Sequence, residues 1–192
     1  MKETNEGLSV PEEWLMTDFR MEIGIGDLFL RGWRENDVEA LVKYANNRNI
    51  WINMTDAFPH PYAEKDAVEW LAKTTKMDPM TFFAISTPEE AIGGIGFSIK
   101  TDVYRQTADI GYWLAEPFWG RNIVTNALKV VSDYAFKSFT LNRISAAVFE
   151  WNPASMRVLE KAGYVREGRL RKSVIKDGKV IDSVLYARID EP

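Results

Sequence analysis

The stretch Trp151-Asn152-Pro153-Ala154-Ser155-Met156-Arg157-Val158-Leu159-Glu160-Lys161-Ala162-Gly163-Tyr164 decides the fold. It reads as strand end, capped helix, stop, strand. Asn152 can cap the helix through its side-chain oxygen. Pro153 follows at the first helical position, where no backbone N–H is needed. Gly163 can take the left-handed conformation that ends a helix. Met156, Leu159 and Ala162 share one face, so the helix packs on something apolar. A short helix between two strands is as far as pattern alone goes.

Outward from this stretch the same punctuation repeats. Leu28 to Arg31 reads as a strand. Asp37 or Asn36 can cap a helix whose apolar stripe is Val38, Leu41, Val42 and Ala45. Phe58-Pro59-His60-Pro61-Tyr62 holds two prolines and cannot be helix interior. A second helix runs roughly from Glu64 to Thr75. Phe82 to Ser86 and Ile92 to Ile99 are strands, and Gly93, Gly94 and Gly96 in the latter imply a bend or bulge. Ala108 to Ala115 is a strand, Pro117 to Asn122 a loop, Ile123 to Lys137 a long amphipathic helix, and Arg143 to Phe149 a strand. Tyr164 to Ile175 and Val180 to Ile189 form a hairpin across Lys176-Asp177-Gly178-Lys179, where Asp-Gly is a strong turn signal. Strands interleaved with helices predict an α/β or α+β sheet covered by helices. Residues 1–22 read as an N-terminal extension, with Trp14, Leu15 and Phe19 spaced for one helical face, and 23–192 as a single domain.

Composition narrows the class. A chain of 192 residues can bury a full core as one domain. It has no cysteine, which excludes disulfides and thiolate chemistry. No apolar run approaches the roughly 20 residues that span a bilayer, and Met1 to Gly7 is polar, without a signal-peptide core. A cytoplasmic protein with no membrane partner is expected. The net charge of −4 argues against nucleic acid and for cationic substrates such as amines. Arg166, Arg169, Arg171 and Lys172 read first as a solvated strand surface and second as a phosphate patch. His60, the only histidine, has no partners for a metal site, and no metal is expected.

The opening stretch resembles the Asn-x-x-Ser-x-x-Val-Leu-Glu-Lys-x-Gly-Phe/Tyr signature of GNAT acetyltransferases, most closely the RimJ/RimL type that acetylates protein N-termini. Further segments resemble the same branch: Leu30-Arg31-Gly32-Trp33, Phe58 to Tyr62, Ile92 to Gly96, Ile110-Gly111-Tyr112-Trp113-Leu114, Glu167 to Arg171, and Asp182 followed by Tyr186. The resemblance runs from about residue 25 to the end. It implies the GNAT fold: an α+β, three-layer arrangement with a mixed, mostly antiparallel twisted sheet, splayed middle strands and flanking helices. It implies acetyl-CoA as co-substrate, lying between the splayed strands, with Tyr112, Trp113, Leu114 and Asn152 along its pantetheine arm. Dimers are common in such a family, though no interface signature stands in this sequence.

A loop feeding a helix N-terminus makes an anion site, because unpaired N–H groups and the helix dipole point the same way. Trp119-Gly120-Arg121-Asn122-Ile123-Val124-Thr125 occupies such a place. Alone the signal is weak. The resemblance implies that Gly120, Arg121, Asn122, Ile123, Val124 and Thr125 wrap the coenzyme A pyrophosphate. The family pattern there is Gln/Arg-x-x-Gly-x-Gly/Ala. Asn122 and Val124 stand in place of its small residues. Asn tolerates positive φ, whereas the branched Val124 is expected to hold the backbone back from a phosphate, so that Val124→Gly tightens binding.

Acetyl transfer to an amine needs a neutral amine, a stabilised oxyanion and a departing thiolate. Backbone N–H groups can supply the second. An α-amine has a pKa of roughly 7.7–8.0 against ~10.4 for lysine, so at pH 7 its deprotonation costs about 1.4 rather than ~4.6 kcal/mol. A site without a strong base therefore suits an α-amine. Asp109 is the candidate base, directly or through water, or else an exposed strand carboxylate. Glu150 is a base or a rim salt-bridge partner. Relatives that use a tyrosine acid place it where Leu159 stands here. Ser155 is the candidate proton donor to the thiolate, or else a first-turn serine bonded to backbone. His60 is a possible gate, and Trp33, Trp51 and Tyr62 are either groove aromatics or core. The expected reaction is direct acetyl transfer in a ternary complex to a protein N-terminal α-amine. The alternatives are a small-molecule amine (polyamine, amino sugar, drug) and a non-catalytic CoA-binding module.

Overall fold

The computed structural model describes residues 20–22 and 27–190. The expected helical face of Trp14, Leu15 and Phe19 falls outside them. Among the described residues, eight strands form one sheet in the order β1-β2-β3-β4-β5-β6-β8-β7. They are β1 (Arg20–Glu22), β2 (Phe29–Arg31), β3 (Phe82–Ser86), β4 (Ala91–Ile99), β5 (Thr107–Leu114), β6 (Arg143–Phe149), β7 (Val165–Lys176) and β8 (Lys179–Ile189). All neighbours run antiparallel except β5 and β6. The helices are α1 (Val38–Ala45), α2 (Arg48–Trp51), α3 (Glu64–Thr74), α4 (Ile123–Ser138) and α5 (Pro153–Lys161). Each element expected from Leu28 onward is present within a residue or two of its expected ends, whereas β1 lies in the stretch read as an N-terminal extension and is a strand of the sheet. The four-residue α2 is too short to have a periodicity and was not expected.

The sheet is the middle of three layers. On one face Leu41, Ala45, Ala67 and Leu71 of α1 and α3 bury with Trp33 and Tyr62 against Ala84 and Ala91. On the other, Leu128 and Val131 of α4 and Leu159 of α5 bury against Phe83, Ile85, Phe97 and Ile144. Burial of these aliphatic and aromatic groups is the main stabilising term. In β4 the expected irregularity is a bulge: Ser86 pairs with Ala91 and Ile85 with Gly93, leaving Ile92 as the extra residue. The glycines have a second reason. A Cβ on Gly94 would stand 2.8 Å from the Trp113 indole nitrogen and 3.0 Å from the Trp33 ring. The strand is stripped of side chains so that large aromatics can lie across it.

One buried ion pair ties β2 to the start of α1. Arg31 donates to Asp37 through Nη1 at 2.7 Å and Nη2 at 2.6 Å, and through Nε to Ser86 Oγ at 3.2 Å. Asp37 also accepts from the Arg34 backbone N–H at 2.8 Å. Asp37 thus reaches backward to hold the entry of the helix rather than capping it forward. Both side chains are almost fully buried. Removing one partner leaves a buried charge uncompensated, which typically costs about 3–5 kcal/mol. Asp37→Ala should therefore lower Tm by on the order of 10 °C for a chain of this size, whereas Arg31→Met with Asp37→Leu together should cost much less. Thermal unfolding followed by circular dichroism checks both.

Candidate active site

β5 and β6 pair only over Thr107–Arg143, Ala108–Ile144 and Asp109–Ser145. Beyond that point β5 stays with β4 and β6 stays with β8. The two strands part, and a cavity of about 600 Å³ opens between Ile110–Leu114 on one side and Ala146–Phe149 on the other. This is the splay implied by the resemblance. No strand pairs with these facing edges among the described residues, so backbone polar groups there remain available to a ligand.

One end of the cavity is the loop into α4. Gly120 has φ +76° and Asn122 φ +59°, both left-handed, as expected for Asn at that position. The first main-chain bond of α4 runs from Asn126 N–H to Asn122 O. The amides of Ile123, Val124 and Thr125 therefore precede the helical ladder. Thr125 Oγ1 is buried without a hydrogen-bond partner. Arg121, Lys129 and Lys161 surround the same helix end, and Lys161 donates to Asn122 Oδ1 at 3.3 Å. Free amides, a helix dipole, an orphaned hydroxyl and three cations together fit an anionic group such as a pyrophosphate. Val124 is half-buried: it packs on the main core cluster and also lines the cavity.

The middle of the cavity carries a hydroxyl pair. Tyr112 OH and Ser155 Oγ lie 2.7 Å apart. Asn152 Oδ1 accepts from Ser155 N–H at 3.1 Å, capping α5 as read from the sequence. Burial pushes the Tyr112 phenol upward, despite the opposing hydrogen bond from Ser155. At neutral pH the pair therefore keeps its protons. Trp119 Nε1 donates to Leu114 O at 2.7 Å and ties the loop to the end of β5.

Of the residues singled out in the sequence, Tyr112, Trp113, Leu114, Gly120, Arg121, Asn122, Ile123, Val124, Thr125, Asn152 and Ser155 all line this one cavity. Asp109 does not. It sits where β5 and β6 are still paired, accepting from Ser145 Oγ at 2.7 Å and pairing with Lys100 at 2.9 Å, with most of its side chain in solvent. Glu150 takes its rim role: it accepts from Arg169 at 2.6 Å and from Asp182 N–H at 3.1 Å. Trp33 and Tyr62 are buried in the second core cluster. His60 stacks on Trp51, with ring centroids 5.4 Å apart, and neither lines the cavity.

Two groups of lining residues were not singled out. Arg157 and Lys161 project from α5 beside Ala154 and Val158, and their i, i+4 spacing was the legible sign. Asn49, Ile50, Asn53, Met54 and Thr55, from α2 and the turn after it, form a further part of the cavity wall. Their polar, unpatterned sequence gave no sign beyond Asn47, whose side chain caps Asn49 N–H at 2.7 Å.

Comparison with known proteins agrees with this geometry. The family model described as "Acetyltransferase (GNAT) domain" matches residues 27–165. The probable N-acetyltransferase YjcK of Bacillus subtilis is 51% identical over 73 residues, which is 38% of this chain and 40% of that protein. The ribosomal-protein-serine acetyltransferase of Escherichia coli is 28% identical over 166 residues, covering 84% of this chain and 92% of its own. A solved structure of RimL, a ribosomal L7/L12 alpha-N-protein acetyltransferase in complex with coenzyme A, superposes with a TM-score of 0.78 at 21% identity. It covers 89% of this chain and 98% of that one, a likeness of fold. With the family model spanning most of its length around a sheet that splits at the expected strands, the chain belongs to the GNAT acetyltransferase family.

Proposed function

We propose that the protein transfers acetyl from acetyl-CoA to the α-amine of a protein or peptide N-terminus, directly and within a ternary complex. The observation that carries this reading is the split between β5 and β6, with a cationic helix end at one side and a hydroxyl pair at its centre. Acetyl-CoA would supply the acetyl group as a thioester. The amides of Ile123, Val124 and Thr125, the Thr125 hydroxyl, and Arg121, Lys129 and Lys161 would hold its pyrophosphate. Tyr112, Trp113, Leu114 and Asn152 would flank the pantetheine arm.

Ser155 Oγ lines the cavity beside the Tyr112 hydroxyl, and it can pass its proton to the departing sulfur while taking up, directly or through Tyr112, the proton that the attacking amine sheds. That makes Ser155 the proton donor for the departing sulfur, and Tyr112 the residue that orients it. The acceptor must arrive uncharged, because among the described residues no carboxylate lines the cavity and Asp109 is committed to Lys100 and Ser145. This supports an α-amine, which loses its proton at about 1.4 kcal/mol at pH 7, over a lysine at ~4.6 kcal/mol. It also disfavours a polyamine, whose remaining charges would meet no anionic wall. The likeness to a ribosomal-protein-serine acetyltransferase points the same way.

The reading is tested with a panel of peptides and amines in a thiol-release assay. Free α-amino peptides should turn over, while their N-blocked forms and spermidine should not; preferential turnover of spermidine would overturn the α-amine assignment. The kcat/KM for a peptide should rise with pH and level off near the acceptor's own pKa of roughly 8, since no carboxylate or histidine lines the cavity among the described residues. Ser155→Ala should lower kcat by about 100-fold, the low end for an acid catalyst, with acetyl-CoA affinity unchanged, and Tyr112→Phe by less. Val124→Ala should leave acetyl-CoA affinity within about twofold, because that side chain packs on the core; a tightening beyond about tenfold would show that Val124 obstructs the loop.

A further inference from the structure

The part of the cavity wall formed by α2 and the turn after it is a short segment with little core of its own. Of α2, only Ile50 is buried. Yet the segment spans the mouth of the split, and it is fastened on both sides. On the β5 side, Glu116, just beyond the strand's end, accepts from Asn47 Nδ2 at 2.7 Å and from Asn49 Nδ2 at 3.1 Å. On the far side, beyond β6, the fastener is the tip of the β7–β8 hairpin. Its turn is closed by Asp177 at φ +50° and Gly178 at φ +72°, the pair of left-handed residues that a two-residue hairpin turn requires. This aims Lys176 at α2. The Lys176 side chain is 1% exposed, and its ammonium lies 3.9 Å from the Trp51 ring centroid and 2.8 Å from Asp56 Oδ1. Arg48 adds a second tie, donating to Asp177 Oδ2 at 2.7 Å.

A lysine this deeply buried is rare unless paired, and an ammonium withdrawn from water is tolerated only where a ring face or a carboxylate replaces its hydration. Trp51 and Asp56 do so; Trp51 lies within the segment that supplies the cavity wall and Asp56 directly follows it. Among the described residues Trp51 and Asp56 are the groups that compensate the ammonium, so leaving them is costly and the contact holds that segment in place.

We propose that Lys176 is a positioning residue that clamps α2 across the mouth of the cavity and thereby sets the shape of the acceptor end. Resting on the acyltransferase reading above, the proposal gives the hairpin tip a role in acceptor recognition and none in the chemistry or in coenzyme binding. Asn49, Asn53, Met54 and Thr55 then meet the acceptor as a fixed surface.

The test uses the full-length protein with Lys176→Met, which keeps the aliphatic packing and removes the cation, and Lys176→Arg, which restores it. In the free protein, hydrogen exchange is read at the bonded amides of Ile50, Trp51, Ile52, Asn53 and Met54. Lys176→Met should speed exchange there by at least about tenfold relative to the core strands. The KM for the acceptor peptide should rise about fivefold or more, with kcat and acetyl-CoA affinity within about twofold, and Lys176→Arg should recover most of the loss. If Lys176→Met does not fold, Asp56→Asn, which alters a largely exposed carboxylate, should move both readouts in the same direction. Unchanged exchange in a folded variant would overturn the clamp whatever the protein catalyses. Faster exchange with an unchanged acceptor KM would overturn its role at the acceptor end. A wild-type protein that transfers no acetyl group would overturn the acyltransferase reading, and the acceptor role with it, while the exchange data would still report the clamp.

Discussion

Everything in this molecule turns on two parallel strands that begin as a pair and then part. β5 and β6 share three residue pairs and diverge after Asp109 and Ser145. A parallel pair needs a crossover between its strands. Here that crossover is α4, which starts just past the C-terminal end of β5 and so presents its N-terminus at the opening. The same connection that makes the strands parallel therefore delivers unpaired amides and a positive helix end to the gap. α5 follows β6 by the same logic and brings Ser155 within 2.7 Å of Tyr112. The site is a consequence of chain topology before any individual side chain is considered.

Holding a sheet open is costly unless both halves are stabilised independently. β5 is secured by β4, whose glycines let Trp33 and Trp113 lie close against the strand. β6 is secured along its full length by β8. The Arg31–Asp37 pair fixes β2 to the start of α1, and so orients the layer that carries α2. Across the mouth itself the fastenings are polar: Glu116 on one side, Lys176 and Asp177 on the other. Apolar packing keeps the halves apart, and hydrogen-bonded charge spans the opening between them.

Much of this was legible in the chain. The Asn-Pro start and Gly stop around α5, the Asp-Gly turn and the left-handed Asn122 each follow from local backbone chemistry, and each appears as read. The splay was not legible from periodicity. It depends on which strand each half of β5 and β6 pairs with, and only the resemblance implied it. Asp109 shows the limit: its strand was identified correctly, but nothing local says that the strand is still paired at residue 109 and open at 112. The Tyr112–Ser155 contact spans 43 residues of sequence, and Lys176 to Asp56 spans 120. Such contacts are products of tertiary packing and leave no trace in spacing. α2 escaped notice because four residues cannot express a helical period.

The central claim is that the split between β5 and β6, with the start of α4 at its end, is where coenzyme A binds. Calorimetric titration of the purified protein with acetyl-CoA tests it most directly. The account predicts one-site binding with a micromolar Kd that weakens as salt is raised, because Arg121, Lys129 and Lys161 meet the phosphates. No heat at millimolar acetyl-CoA would mean that the altered loop no longer holds the coenzyme, and the enzymatic reading would give way to a role for the fold in binding alone.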